Sequence, residues 1–256
     1  MNIREITGLA PNYFEINREE RNYAAILFSA LCKLDNAKRF LRHFNFASDV
    51  GPEFGIYFEY AYLRDLWSGI SGEESKKQVL RELLPIKRIA EIVQLPTERI
   101  NHKFGVAGKP SSTSVQYPGK WSVNRFHKNF DDNDDFLKIC RFKWSFNIKP
   151  DIVIHLDKNT AICIEAKHAS GEGSYPSSEL EKSIFRQRKL DYVGQNELQK
   201  YMMEDLLGVK SEFIFLVSEE AESQTHRVVT WREAFASIDM SDHLNFALEM
   251  AKRISG

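Results

Sequence analysis

From Arg18 onward, apolar residues recur at Tyr23, Ile26, Leu27, Ala30, Leu31 and Leu34, the spacing that lays one stripe along an α-helix. Asn17 stands where an N-cap belongs, and Glu20, three positions on, completes a capping-box pattern. A second helix is expected from just after Gly51-Pro52 to about Trp67. A third runs from about Ser75 to Val93, bent or split at Pro85 and ended by Pro96. Between residues 97 and 130 Gly, Pro and Ser interrupt every period, so this stretch reads as one long loop.

Beyond the acidic patch Asp131, Asp132, Asp134 and Asp135 the pattern turns to β. Residues 136–148 mix aromatics, Ile and Lys and predict a first strand. Asp151–Leu156 and Ala161–Lys167 follow as strands around Asp157-Lys-Asn-Thr. A polar segment leads into a helix from about Ser178, and another helix closes at Gly208. Glu212–Ser218 is a buried strand, Arg227–Trp231 a shorter one, and a last helix begins near Ser241. No internal repeat or low-complexity tract is present.

The hairpin from 150 to 167 concentrates the chemistry. Side chains alternate along a strand, so Glu165 and Lys167 share one face while Ile162, Ile164 and Ala166 take the other. On the preceding strand Asp151, Val153 and His155 share a face opposite Ile152, Ile154 and Leu156. Register then becomes a constraint. A two-residue turn at Lys158-Asn159 would pair Asp151 with Ala166 and aim it away from Glu165. Bringing the two carboxylates together demands an odd-numbered loop, with Asn159 available for left-handed geometry, or a bulge near Asp151.

Composition narrows the setting. The 256 residues can bury a full core as one domain, with a helical portion at 18–96, a basic loop at 97–130 and a catalytic α/β core at 131–256. With 35 Lys and Arg against 36 Asp and Glu, any nucleic-acid binding must use a local basic surface. Cys32, Cys140 and Cys163 fit no zinc spacing and read as reduced thiols. The first residues lack the apolar core of a signal peptide, and no stretch reaches membrane-spanning length. A cytoplasmic protein with no membrane partner is expected.

Two carboxylates about 4 Å apart repel by roughly 4 kcal/mol at an effective dielectric near 20, so they call for a cation between them. Oxygen ligands with open water positions suit Mg²⁺ or Mn²⁺. Such an ion polarises a phosphate and lowers the pKa of a bound water. Lys167 is the right group to orient that water and offset charge on the phosphorus, and the Ala166 carbonyl is an additional ligand. The structural alternative is a strand-end ion pair between Glu165 and Lys167. Glu74-Ser75-Lys76 shows how cheaply the bare tripeptide arises.

Pro150-Asp151, then Glu165-Ala166-Lys167 across a hairpin, resembles the PD-(D/E)xK nuclease superfamily. The resemblance implies an α/β fold: a restriction-endonuclease-like core with a central mixed β-sheet flanked by helices, plus a helical N-terminal portion. The family core runs helix, three strands, helix, strand. By resemblance Asp151 and Glu165 bind Mg²⁺ or Mn²⁺ and Lys167 is the catalytic lysine. Many members add a glutamate from the helix before the hairpin; here Glu20 is chosen, with Glu19 and Glu59 as rivals. Some relatives carry a Gln and a Tyr four residues apart on the following helix, whereas here Glu197 precedes Tyr201 by four.

The nucleic-acid surface is expected in the loop, where no acidic residue intervenes between Arg99 and Phe130. Lys103, Lys109, Lys120, Arg125 and Lys128 would neutralise phosphates, and Trp121 or Tyr117 would stack on an unpaired base. Lys182, Arg186, Arg188 and Lys189 form a second basic run. His155 and His168 show no metal spacing and read as ordinary histidines. The resulting expectation is a Mg²⁺-dependent endonuclease acting on DNA, with RNA also open, in phage defence or restriction. Cutting both strands would favour a homodimer. The rival is a non-catalytic nucleic-acid-binding or assembly subunit on the same fold.

Overall fold

The structure, a computed structural model, describes residues 20–46, 50–105, 109–167, 173–218 and 227–243. Asn17, Glu19 and His168 lie outside them, as does nearly all of the helix expected from Ser241. The α-helices in chain order are α1 (Glu20–Leu31), α2 (Leu34–His43), α3 (Tyr62–Gly69), α4 (Glu73–Leu83), α5 (Lys87–Ile92), α6 (Thr97–Phe104), α7 (Val123–Phe126), α8 (Asn133–Ser145), α9 (Glu179–Arg188), α10 (Gln195–Lys200) and α11 (Trp231–Ala236). The strands are β1 (Gly55–Phe58), β2 (Ile152–His155), β3 (Thr160–Ala166), β4 (Ser174–Tyr175), β5 (Val193–Gly194), β6 (Lys210–Val217) and β7 (Arg227–Thr230).

Five strands form a mixed sheet in the order β1-β2-β3-β6-β7, flanked by helices. β1 runs antiparallel to β2, and β6 runs parallel to β7. The chain divides into two compact units. One comprises 1–50, 164–171 and 213–256, the other 51–163 and 172–212.

In the first unit α1 buries Leu27, Ala30 and Leu31 of the expected stripe, with Ala24 beside them, while Ile26 and Leu34 remain 42% and 46% exposed. Asn36 joins the C-terminal end of α1 to the chain beyond α11. Its amide donates to the carbonyls of Ala30 and Asp239, and its oxygen accepts from the Asp239 N–H. β6 buries Ile214 and Leu216 in alternation, as an apolar strand should. α11 starts with a full capping box between Thr230 and Glu233.

The second unit departs from the sequence-based expectation in three places. The strand expected at 136–148 is helix α8. Its cap is Asp132, whose carboxylate accepts from the Asp135 N–H, so the acidic patch is a helix start with its charges at the positive dipole end. Phe136, Ile139, Cys140 and Lys143 then fall on one buried face. The missing strand is β1, inside the segment expected to be helical after Pro52; helix begins only at Tyr62. Gly55 to Phe58 pair with His155 to Ile152, and Glu59, at φ 47°, turns the chain out of the strand.

The third departure is the expected long loop. It contains α6, α7 and two 3₁₀ turns at Pro118–Lys120 and His127–Asn129. The apolar residues among its lysines are one side of short helices. Pro85, by contrast, splits α4 from α5 as expected. Ser178 caps α9, and Gly208, at φ 66°, follows the helical stretch that closes before it.

Candidate active site

β3 is buried along almost its whole length, Glu165 included at 6% exposure. A carboxylate so enclosed needs a cation or strong donors. Lys167 supplies one: its Nζ lies 2.9 Å from Glu165 Oε1, with its own side chain 15% exposed. The pair bears out the shared face read from strand alternation.

Lys167 is held on both sides of its main chain. Its N–H donates to the Leu216 carbonyl of β6 at 2.7 Å, and its carbonyl accepts from the Trp231 indole N–H at 3.3 Å. Trp231, the first residue of α11, packs against Tyr23 with ring centroids 5.8 Å apart. Tyr23 lies three residues after Glu20, which opens α1. The helix chosen for a fourth carboxylate is therefore tied, through two aromatic rings, to the backbone of the candidate lysine.

In the second unit, Asp151 precedes β2 and is half-buried. Its carbonyl accepts from the Glu59 N–H at 2.8 Å, and the Pro150 carbonyl accepts from the Tyr60 N–H at 3.0 Å. Glu59, one of the rival carboxylates, forms an ion pair with Lys149 at 3.2 Å. The Tyr60 hydroxyl lies 2.9 Å from His155 Nε2. Burial holds His155 below the ordinary histidine range, opposed by the Asp157 backbone and charge. Burial pushes the Tyr60 phenol upward. This is a neutral, hydrogen-bonded pair, and His155 is the satisfied histidine that the sequence suggested.

Between β2 and β3 lie the four residues 156–159. The N–H groups of Leu156 and Asp157 both point to the Thr160 carbonyl, at 2.9 and 3.5 Å, as at a bulge. Asn159 does not take left-handed geometry. Instead its N–H donates to Asp157 Oδ1 at 2.7 Å, an Asx turn that closes the loop without a positive φ.

Of the expected nucleic-acid residues, Lys109, Lys120, Arg125 and Lys128 are exposed and Lys103 is half-buried. Trp121 is not a stacking platform. It is 2% exposed and lies flat on Phe104, with centroids 3.8 Å apart and planes 15° from parallel. Tyr117 is half-buried, with its hydroxyl donating to the Phe146 carbonyl. These rings face inward because α6 and α7 need an apolar side to pack.

The second basic run is largely occupied. Lys182 and Arg186 pair with Glu179, while Arg188 donates to the carbonyls of His127, Phe130 and Asp131 and covers the Phe136 ring.

Glu165 and the Ala166 carbonyl are hard oxygen donors of the kind Mg²⁺ or Mn²⁺ prefers, and the ammonium against Glu165 marks a position that favours a cation. Among the described residues no group of three or more His, Cys, Asp or Glu side chains is gathered closely enough to hold a metal; the Glu20 side chain is not among those described. Neither the Trp231 bond to Lys167 nor the Glu59–Asp151 backbone contact carries a local signal in the sequence, since both depend on distant pairings. Comparison with protein-family models, curated proteins and solved structures gives no match for this chain.

Proposed function

We propose that the chain is a metal-dependent nuclease that hydrolyses phosphodiester bonds, with DNA as the substrate. The observation that carries this reading is the enclosed Glu165–Lys167 pair at the end of β3.

In this reading Asp151, Glu165 and the Ala166 carbonyl would hold Mg²⁺ or Mn²⁺, which would polarise the phosphate and lower the pKa of a bound water. Lys167 leaves Glu165 to orient the attacking water and to offset charge gathering on the phosphoryl oxygens. Glu20 is the proposed fourth group. The element order supports a restriction-endonuclease-like core: helices, β1, β2, β3, helix α9, then β6. The first strand is β1, and a helical segment separates it from the hairpin.

The test is cleavage of plasmid, single-stranded DNA and RNA with Mg²⁺, Mn²⁺ or EDTA, beside Lys167→Ala. Metal-dependent cleavage lost in the variant supports the nuclease. A second reading, a non-catalytic nucleic-acid-binding or assembly subunit, draws on the fact that Lys167 is already paired. Equal binding by both proteins with no cleavage by either would select it. The setting this reading implies is phage defence or restriction, and cutting both strands of a duplex would favour a homodimer.

A further inference from the structure

Ion pairs are spread over the second unit, among them Arg64 with Asp65, Arg88 with Glu91, Lys149 with Glu59 and Lys182 with Glu179. The cations of the segment 97–130 take no part in them. None of Arg99, Lys103, Lys109, Lys120, Arg125 or Lys128 forms an ion pair with a described residue. Uncompensated cations held together cost self-repulsion, which an anionic partner would relieve.

Their placement is specific. Arg99, His102 and Lys103 stand at i, i+3 and i+4 of α6, hence on one side of the helix. With Glu98 and Pro110 they line an open depression. The chain carrying Lys109 and Pro110 is fastened to α6 by the buried Asn101. Its amide donates to the carbonyls of Ser111 and Ser114 at 3.0 and 2.9 Å, and its oxygen accepts from the Gln116 N–H at 3.0 Å. At the other end, Gly105 takes φ 66°, and the stem of Arg125 lies so close that any Cβ there would collide with it. Asn129 donates to the Lys103 carbonyl and Ser122 to that of Phe104. Arg125 is thereby brought to the C-terminal end of α6, and the cations sit on a fixed frame.

The rings of this segment are in the interior: Phe104, Trp121, Phe126 and Phe130 are all buried. Base stacking, worth roughly 1–3 kcal/mol per base on single strands, is not on offer from them. What the face presents is positive charge, and a duplex carries about one phosphate charge per 1.7 Å of axis.

We propose that the Arg99–His102–Lys103 face of α6, extended by Arg125, grips the phosphate backbone of double-stranded DNA and touches no base. This rests on the nuclease reading for the identity of the polymer, and adds Arg99 and His102 to the surface.

The test uses the full chain in EDTA with a fluorescein-labelled 20-base-pair duplex, the matching single strand, and a salt titration. The wild type should bind the duplex more tightly than the single strand, and equally for unrelated sequences. Arg99→Gln/Lys103→Gln should weaken duplex binding at least tenfold at low salt and reduce the slope of log K against log salt by about 2. The charge-preserving Arg99→Lys/Lys103→Arg should retain binding. Both changes lie outside the core, so an unaltered melting temperature checks folding. Unchanged affinity and slope in the Gln variant, or tighter binding of the single strand, would overturn the proposal. Binding with these signatures but no cleavage in Mg²⁺ would retain this face and remove the nuclease reading; cleavage with unaltered binding by the variant would do the reverse.

Discussion

The indole N–H of Trp231 donates to the carbonyl of Lys167 at 3.3 Å, from the first residue of a helix more than sixty positions away in sequence. With the Lys167 N–H engaged by Leu216, both polar groups of the Lys167 main chain are held, while its ammonium is paired with Glu165. Trp231→Phe keeps the ring against Tyr23 and removes only the donor. The expected loss of stability is about 1 kcal/mol. The cleavage rate should fall about tenfold while KM stays within twofold, measured in single-turnover and steady-state assays with Mg²⁺.

Trp121 is a core residue by its contacts with Phe104 and Phe142. Trp121→Ala should cost about 3–5 kcal/mol in denaturant unfolding, as for other large-to-small core changes. Trp121→Phe should cost less and leave affinity for single-stranded and duplex DNA within twofold. A tenfold loss of single-strand affinity in the folded Phe variant would return Trp121 to the role of stacking platform.

His155 titrates below the ordinary value of 6.5 because burial disfavours its charged form. A histidine whose folded pKa lies below the unfolded one binds fewer protons in the native state. Its contribution to stability is therefore complete above pH 6.5 and is lost as pH falls through the lower, folded value. The melting temperature should decline between pH 7 and 5. His155→Gln should flatten that decline, and NMR titration of the imidazole should report the depressed value directly.

Mg²⁺ bound to the native state and not to the unfolded chain raises stability by mass action. Millimolar Mg²⁺ should raise the melting temperature of the wild type by a few degrees. Asp151→Asn and Glu165→Gln should each abolish the increase, and Ca²⁺ can stand in if substrate must be kept intact. An identical Mg²⁺ response in all three proteins would remove Asp151 and Glu165 as ligands.

The parts of the fold that were legible in the sequence are those with a repeated local signal. The stripe of α1, the alternation of β2 and β3, the apolar run of β6 and the punctuation by Pro85, Ser178 and Gly208 all fall near their expected places. β1 was illegible because four residues are too few to establish a period, and its partner β2 lies far along the chain. α8 was misread because Phe136, Ile139, Phe142 and Trp144 favour strands by type, while their spacing is helical and Asp132 caps it. In the 97–130 segment the lysines and arginines were legible, but not which way the rings between them point. The shared face of Glu165 and Lys167 was readable from alternation. What fixes Lys167 in place was not, since Leu216 and Trp231 reach it only through sheet order.

The strand β1 leaves the sheet at Glu59 and the chain returns at Pro150-Asp151, and these two points are hydrogen-bonded neighbours. Every described residue between them is helical or irregular. Such a segment enters and exits through one narrow root, so its length is free to change while the sheet keeps its hydrogen bonds; each doubling of a loop adds only about 0.6 kcal/mol to the entropy of closing it. Divergence between this chain and any descendant should collect there, beyond the root, where a lineage can exchange one surface for another and leave Asp151 standing where it is.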